Sequence, residues 1–233
     1  MALPSAIGNT VVRLAPLAAP GAAGSALRRV LNAAINGVGA APGARVMAGR
    51  QLARQHGDHE AAIKTIITQH AVAGGVGGFV TNLGGFVTSL AAMPANVATL
   101  ALTQSRMVAA IAHLRGYDLD DPRVRAAIVM CLLGRTLVDE MVAKGELPST
   151  PIGVATAPMA DANLEQQICQ RVLSAWLAQI GGKQAVALIG KRLPVIGGGV
   201  GAATDGLSTR AVGRYAAAQF VSRRQVSRRR EAA

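Results

Sequence analysis

The chain has 233 residues, 51% of them apolar and only 15% charged, and its net charge is +12. That length suits one domain with a sizeable core, and the apolar content excludes a mainly disordered chain. Aromatic residues make up only 3%, which removes the stacking platforms that single-strand nucleic-acid binders use.

Residues 1–57 contain six Arg and no acid. No basic residue precedes Arg13, and Pro4, Pro16 and Pro20 interrupt the first apolar run, so a secretory signal is poorly supported, although a transit peptide would share this composition. A helix is expected over 25–38, with Leu27, Leu31, Ala34, Ile35 and Val38 on one face, and a second over 44–55. Asp58 reads as the N-cap of the next helix, with Glu60 in a first turn that favours negative charge.

That helix enters an uncharged stretch of 41 residues, from Thr65 to Ser105. Its length exceeds the roughly 20 residues needed to cross a bilayer, but its glycines and hydroxyl side chains make it less apolar than a usual spanning helix. Small residues recur at four-residue spacing, Gly74 with Gly78 and Gly77 with Thr81, Gly85 and Ser89. This spacing lets helix backbones approach closely in a membrane or in a buried core. Gly74, Gly78, Phe79, Gly85 and Phe86 are therefore candidate membrane or packing residues.

Pro94 suits the first turn of a helix that Gly116 ends. Asp120, Asp121 and Pro122 open another, with Val124, Ile128, Cys131, Leu132 and Val138 facing inward and Gly145 as its stop. Residues 147–158 hold three prolines and read as a loop. Asp161 then caps a helix carrying Leu164, Ile168, Val172, Trp176 and Ile180 at helical spacing. The last segment repeats the earlier glycine pattern, since residues 197–205 can be laid on 74–82. Gly197 and Gly201 join the candidate packing residues. The expected fold is all-α, a multi-helix bundle with two glycine-rich helical segments.

Charge is concentrated at the ends: residues 1–64 carry +5, 65–182 carry −1 and 183–233 carry +8. The densest block holds Arg223, Arg224, Arg228, Arg229 and Arg230, candidates for binding an anionic surface. Nucleic acid would use the same charges through counterion release, a solvated tail would use none of them, and the apolar content of the chain favours a lipid surface.

Gly116-Tyr117-Asp118-Leu119 followed by Asp121-Pro122, the glycine-rich run ending at Met93-Pro94, and the later glycine-rich segment running into Asp205, Ala211 and Phe220 resemble the bacterial EcsC family over roughly residues 60–222. The match lies in the order and spacing of these features. It implies a membrane-linked context beside a transport system and supplies no catalytic residues. Family members often carry an acid before the proline corresponding to Pro94, where this chain has Ala92-Met93.

Recognisable chemistry is sparse. His56 and His59 are three apart with Glu60 outside them, which does not match the zinc-protease spacing. Gly197–Ala202 fits a GxGxxA pattern without the strand and βαβ unit that a dinucleotide site needs. Neither Gly182-Lys183 nor Gly190-Lys191 is followed by Ser or Thr, so a phosphate-binding P-loop is absent. Cys131 and Cys169 read as buried free thiols.

The sequence therefore divides into a basic helical extension (1–57), an EcsC-like helical domain (58–222) and a basic tail (223–233). It reads as a protein without recognisable catalytic machinery, on the cytoplasmic side of a membrane, peripheral or partly inserted. Anionic lipid, with or without a membrane protein complex, is the expected partner, self-association is open, and no metal or cofactor is implied. The competing readings are an enzyme acting on a lipid or other apolar substrate, with Tyr117, Asp118 and Asp205 as its polar groups, and a nucleic-acid binder.

Overall fold

Helix α1 (Pro20–Asn36) turns Leu27, Leu31, Ala34 and Ile35 inward, and all four are buried. The computed structural model describes residues 20–39, 41–76, 95–158, 163–175 and 199–223. After α1 the chain makes a two-residue antiparallel ladder, β1 (Gly37–Val38) with β2 (Ala41–Pro42), pairing Gly37 with Pro42 and Val38 with Ala41. Val38, expected on the helix, lies in this ladder, which is too short for strand alternation to mark it.

Helix α2 (Ala44–Arg54) follows, then α3 (His59–Val76). Asp58 caps α3 as its sequence position suggests, its Oδ1 accepting from the backbone N–H groups of Glu60 at 2.9 Å and Ala61 at 3.0 Å. Helix α4 (Ala95–Leu114) is the centre of the fold, with α1, α2, α3, the helix that follows it and the last helix around it. Residues 101–112 are all buried, which is what a helix enclosed on every side requires. Gly116, at φ +86°, ends α4 while Tyr117 N–H reaches back to the Ala112 carbonyl at 3.0 Å, a left-handed glycine cap.

One expected helix is two. Helix α5 (Pro122–Cys131), capped by Asp121, and α6 (Gly134–Ala143) are separated at Leu132-Leu133, and Gly134 adopts φ +76°. A backbone in this left-handed region changes the direction of the chain and is open to glycine at little cost. The proline-rich stretch read as a loop contains a short helix, α7 (Pro151–Ala155), with Thr150 as N-cap and Pro151 in its first turn. Helix α8 covers 164–175. Its expected cap Asp161 and its expected inward Trp176 and Ile180 lie outside the described residues.

Helix α9 (Gly199–Gln219) packs on α3 and α4. Gly213 is the point of closest approach, because a Cβ there would stand 2.9 Å from both Ile67 Cγ1 and Met107 Sδ. The fold is an all-α multi-helix bundle, and among the described residues the two-residue ladder is its one sheet.

Candidate functional site

Among the described residues five arginines are answered by a carboxylate. Glu165 on α8 takes Arg125 of α5 at 3.0 and 3.2 Å and lies 3.6 Å from Arg28 of α1, while Arg125 also donates to Asn32 Oδ1 at 2.5 Å. Arg45 pairs with Asp120 at 2.8 Å. Arg123 holds the Asp121 carboxyl below its ordinary range, chiefly by side-chain hydrogen bonds, and donates to the Ala157 carbonyl. Arg115 forms a two-pronged bridge to Glu60. Glu60 is thus committed to a structural pair, and among the described residues no three His, Cys, Asp or Glu side chains gather into a metal-holding group.

Of those that no carboxylate answers among the described residues, Arg29, Arg50, Arg54 and Arg171 lie elsewhere in the bundle, and Arg135, Arg210 and Arg214 lie along α9 and the start of α6. Leu207, Arg210, Ala211 and Arg214 share the exposed face of α9, and Val221 is exposed just beyond it. Among the described residues neither Arg210 nor Arg214 pairs with a carboxylate. Beside this face is a groove of about 820 Å³ between α6, α9 and the end of α8. Leu132, Leu133, Leu137 and Val212 give it apolar walls, Thr136 and Ser208 bring hydroxyls, and Arg135, Arg214 and Glu140 bring charge. Tyr215 also lines it, under the Arg135 guanidinium at 5.5 Å from the ring centre. Its hydroxyl is buried without a hydrogen-bond partner among the described residues, and burial raises its pKa, with Cys131 and Asp139 adding to the rise and Arg135 opposing it.

The residues singled out in sequence do not converge on one site. Tyr117 is buried, meets Phe220 edge-on at 5.0 Å between ring centres, and carries the Arg223 guanidinium at 5.3 Å. Burial raises its pKa, opposed by Arg223 and Arg115. Asp118 is exposed and spends one carboxylate oxygen on the backbone N–H of Asp120 at 3.0 Å. Asp205 is exposed on α9, 15 residues before Phe220, or about 22 Å along a helix at 1.5 Å per residue. A single polar site of Tyr117, Asp118 and Asp205 is therefore not formed.

Arg223, the first residue of the basic block, is fastened to the domain, since its backbone N–H donates to the Arg115 carbonyl at 3.0 Å. Arg224, Arg228, Arg229 and Arg230 lie outside the described residues, as do Gly78, Phe79, Gly85, Phe86 and Gly197; Gly74 lies in α3 and Gly201 in the first turn of α9. The uncharged run enters α3 on one side and α4 on the other, and no helix among the described residues is long and apolar enough to cross a membrane.

Inside the bundle, His70 is buried, and its Nδ1–H donates to the Ile66 carbonyl at 2.8 Å. Burial lowers its pKa, and the Arg106 charge lowers it further, against the raising effect of that hydrogen bond. Arg106 itself is 2% exposed, and Gln104 beside it donates to Thr209 Oγ1 on α9 at 3.3 Å. Both cysteines are buried free thiols; burial raises the pKa of each, that of Cys169 to about 12, and keeps them in the protonated, unreactive form.

The groove was missed in sequence because it depends on the break at Gly134, which reads as a tolerated glycine within a helical apolar pattern. The legible part was Gly134-Arg135-Thr136, a glycine followed by a cation and a hydroxyl. Compared with protein-family models, with curated proteins and with solved structures, the chain matches none.

Proposed function

We propose that this chain is a non-enzymatic, membrane-associated helical protein that docks peripherally on the anionic cytoplasmic face of a membrane through α9 and the basic tail. It would serve there as an accessory to a transport or secretion system, as its resemblance to the EcsC family implies. The observation that carries the reading is the exposed α9 face, where Arg210 and Arg214 have no carboxylate partner among the described residues and share the surface with exposed Leu207. Arg223 continues the same end of the molecule into the arginine block.

A basic residue near an anionic leaflet contributes about 1 kcal/mol, and an inserted Leu side chain about 1.5–3 kcal/mol. Several arginines with one or two apolar contacts suffice for reversible attachment without a spanning helix. The paired arginines lend less attraction, because carboxylates neutralise them locally.

Flotation with anionic and with neutral vesicles at low and high salt tests the reading. The protein is expected to float with anionic vesicles at low salt, to sink as salt screens the contact, and to bind far less as the Arg210→Gln/Arg223→Gln double variant. A chain that stays at the bottom of the gradient with anionic vesicles at low salt overturns it.

A further inference from the structure

The groove between α6 and α9 has a size and a lining that a flat membrane contact does not need. Ligand pockets for small molecules run to roughly 300–1,000 Å³, and this one is about 820 Å³. Its lining is divided in character: Leu132, Leu133, Leu137 and Val212 are apolar, while Arg135 and Arg214 bring cations. Neither of these arginines has a carboxylate partner among the described residues, and Glu140 is the one acid among the described lining residues.

One further feature favours an anion over a neutral guest. Helix α6 begins in the lining, and its N-cap Leu133 has no side-chain oxygen to accept from the first backbone N–H groups. Those groups and the helix dipole attract negative charge.

We propose that this groove binds a single anionic amphiphile, with the anionic head held by Arg135, Arg214 and the α6 N-terminus, and the alkyl chain against Leu132, Leu133, Leu137 and Val212. The head is a carboxylate, as in a fatty acid, or a phosphate monoester, as in a phosphatidic lipid. The inference rests on the membrane reading for the source of the ligand. It makes the domain a binder of individual lipid molecules as well as of a charged surface.

Octyl phosphate, octanoate and inorganic phosphate, each titrated below its micellar concentration into the full chain by isothermal calorimetry, provide the test. At least one alkyl anion is expected to bind, inorganic phosphate at least tenfold more weakly, and the tighter of octyl phosphate and octanoate identifies the head. Arg135→Gln is expected to weaken binding about tenfold. Arg214→Gln is expected to weaken it severalfold while leaving the unfolding midpoint unchanged, because the side chain is exposed and pairs with no carboxylate among the described residues.

Absence of binding by both alkyl anions overturns the proposal, as does inorganic phosphate binding equally well or full affinity in Arg135→Gln. Arg135 is outside the vesicle-docking variant and Arg210 is outside the groove. Failure of one titration or of one flotation therefore bears on its own proposal alone.

Discussion

Two regions of this bundle treat the same side chain in opposite ways. Where α1, α5 and α8 meet, Arg125 and Arg28 converge on Glu165, and the Arg125 and Glu165 side chains are only 12% and 11% exposed. Along α9 and the start of α6, Arg210, Arg214 and Arg135 have no carboxylate partner among the described residues. In the first region the charge is consumed in holding helices together. In the second it contributes little to the fold and is available to an anion from outside, so a net charge of +12 is best understood by location.

The sharpest way to break this contrast is at Glu165. Glu165→Ala leaves Arg125 largely buried without its carboxylate, and removal of one partner of a buried pair costs about 3–5 kcal/mol. Loss near the lower end of that range is expected in urea unfolding, because Asn32 still accepts from Arg125. The exposed pair is the control. Asp120 is 76% exposed, and Asp120→Ala should cost no more than about 1 kcal/mol. Equal costs at the two positions would refute the structural role assigned to the buried Glu165 pair.

Arg106 stands apart from both groups as a cation inside the core, and its effect is felt by His70. The His70 pKa is lowered in the folded chain from 6.5, so below that pH the unfolded chain takes up a proton that the folded chain resists. Stability from this group is therefore complete above about pH 6.5 and declines as pH falls toward its folded-state pKa. Unfolding measured at pH 7.5 and pH 5.5 should show a loss on acidification that His70→Gln reduces. An identical loss in the variant would show that other groups carry the acid sensitivity.

The helices were largely legible because their signals are local. Asp58 and Asp121 accept from the N–H groups two or three residues on, and Gly116 ends α4 within a turn. The Glu165–Arg125 pair spans 40 residues, and no local rule joins two such positions. The division of α5 from α6 was hidden for a related reason. Residues 126–133 are all buried, so their pattern has no polar face whose shift would mark a change of direction, and the positive φ of Gly134 is a property of the folded backbone. Since that break opens the groove, Arg135 and Tyr215 could be seen as residues but not as neighbours.

The smallest expected effect on stability is the most informative about α9. Arg210 is exposed and pairs with no carboxylate among the described residues, so Arg210→Gln should change the unfolding free energy by no more than about 0.5 kcal/mol. Replacement of Arg210 by Glu should be similarly mild for the fold, yet it reverses a charge beside Arg214 and should depress anionic-vesicle binding more than Gln does. A stability loss matching that of Glu165→Ala would instead mean that Arg210 is bound into the fold. A neutral effect on folding with a graded loss from Gln to Glu in flotation is what a surface charge kept for an external partner predicts, because removing it costs the folded chain nothing it was using.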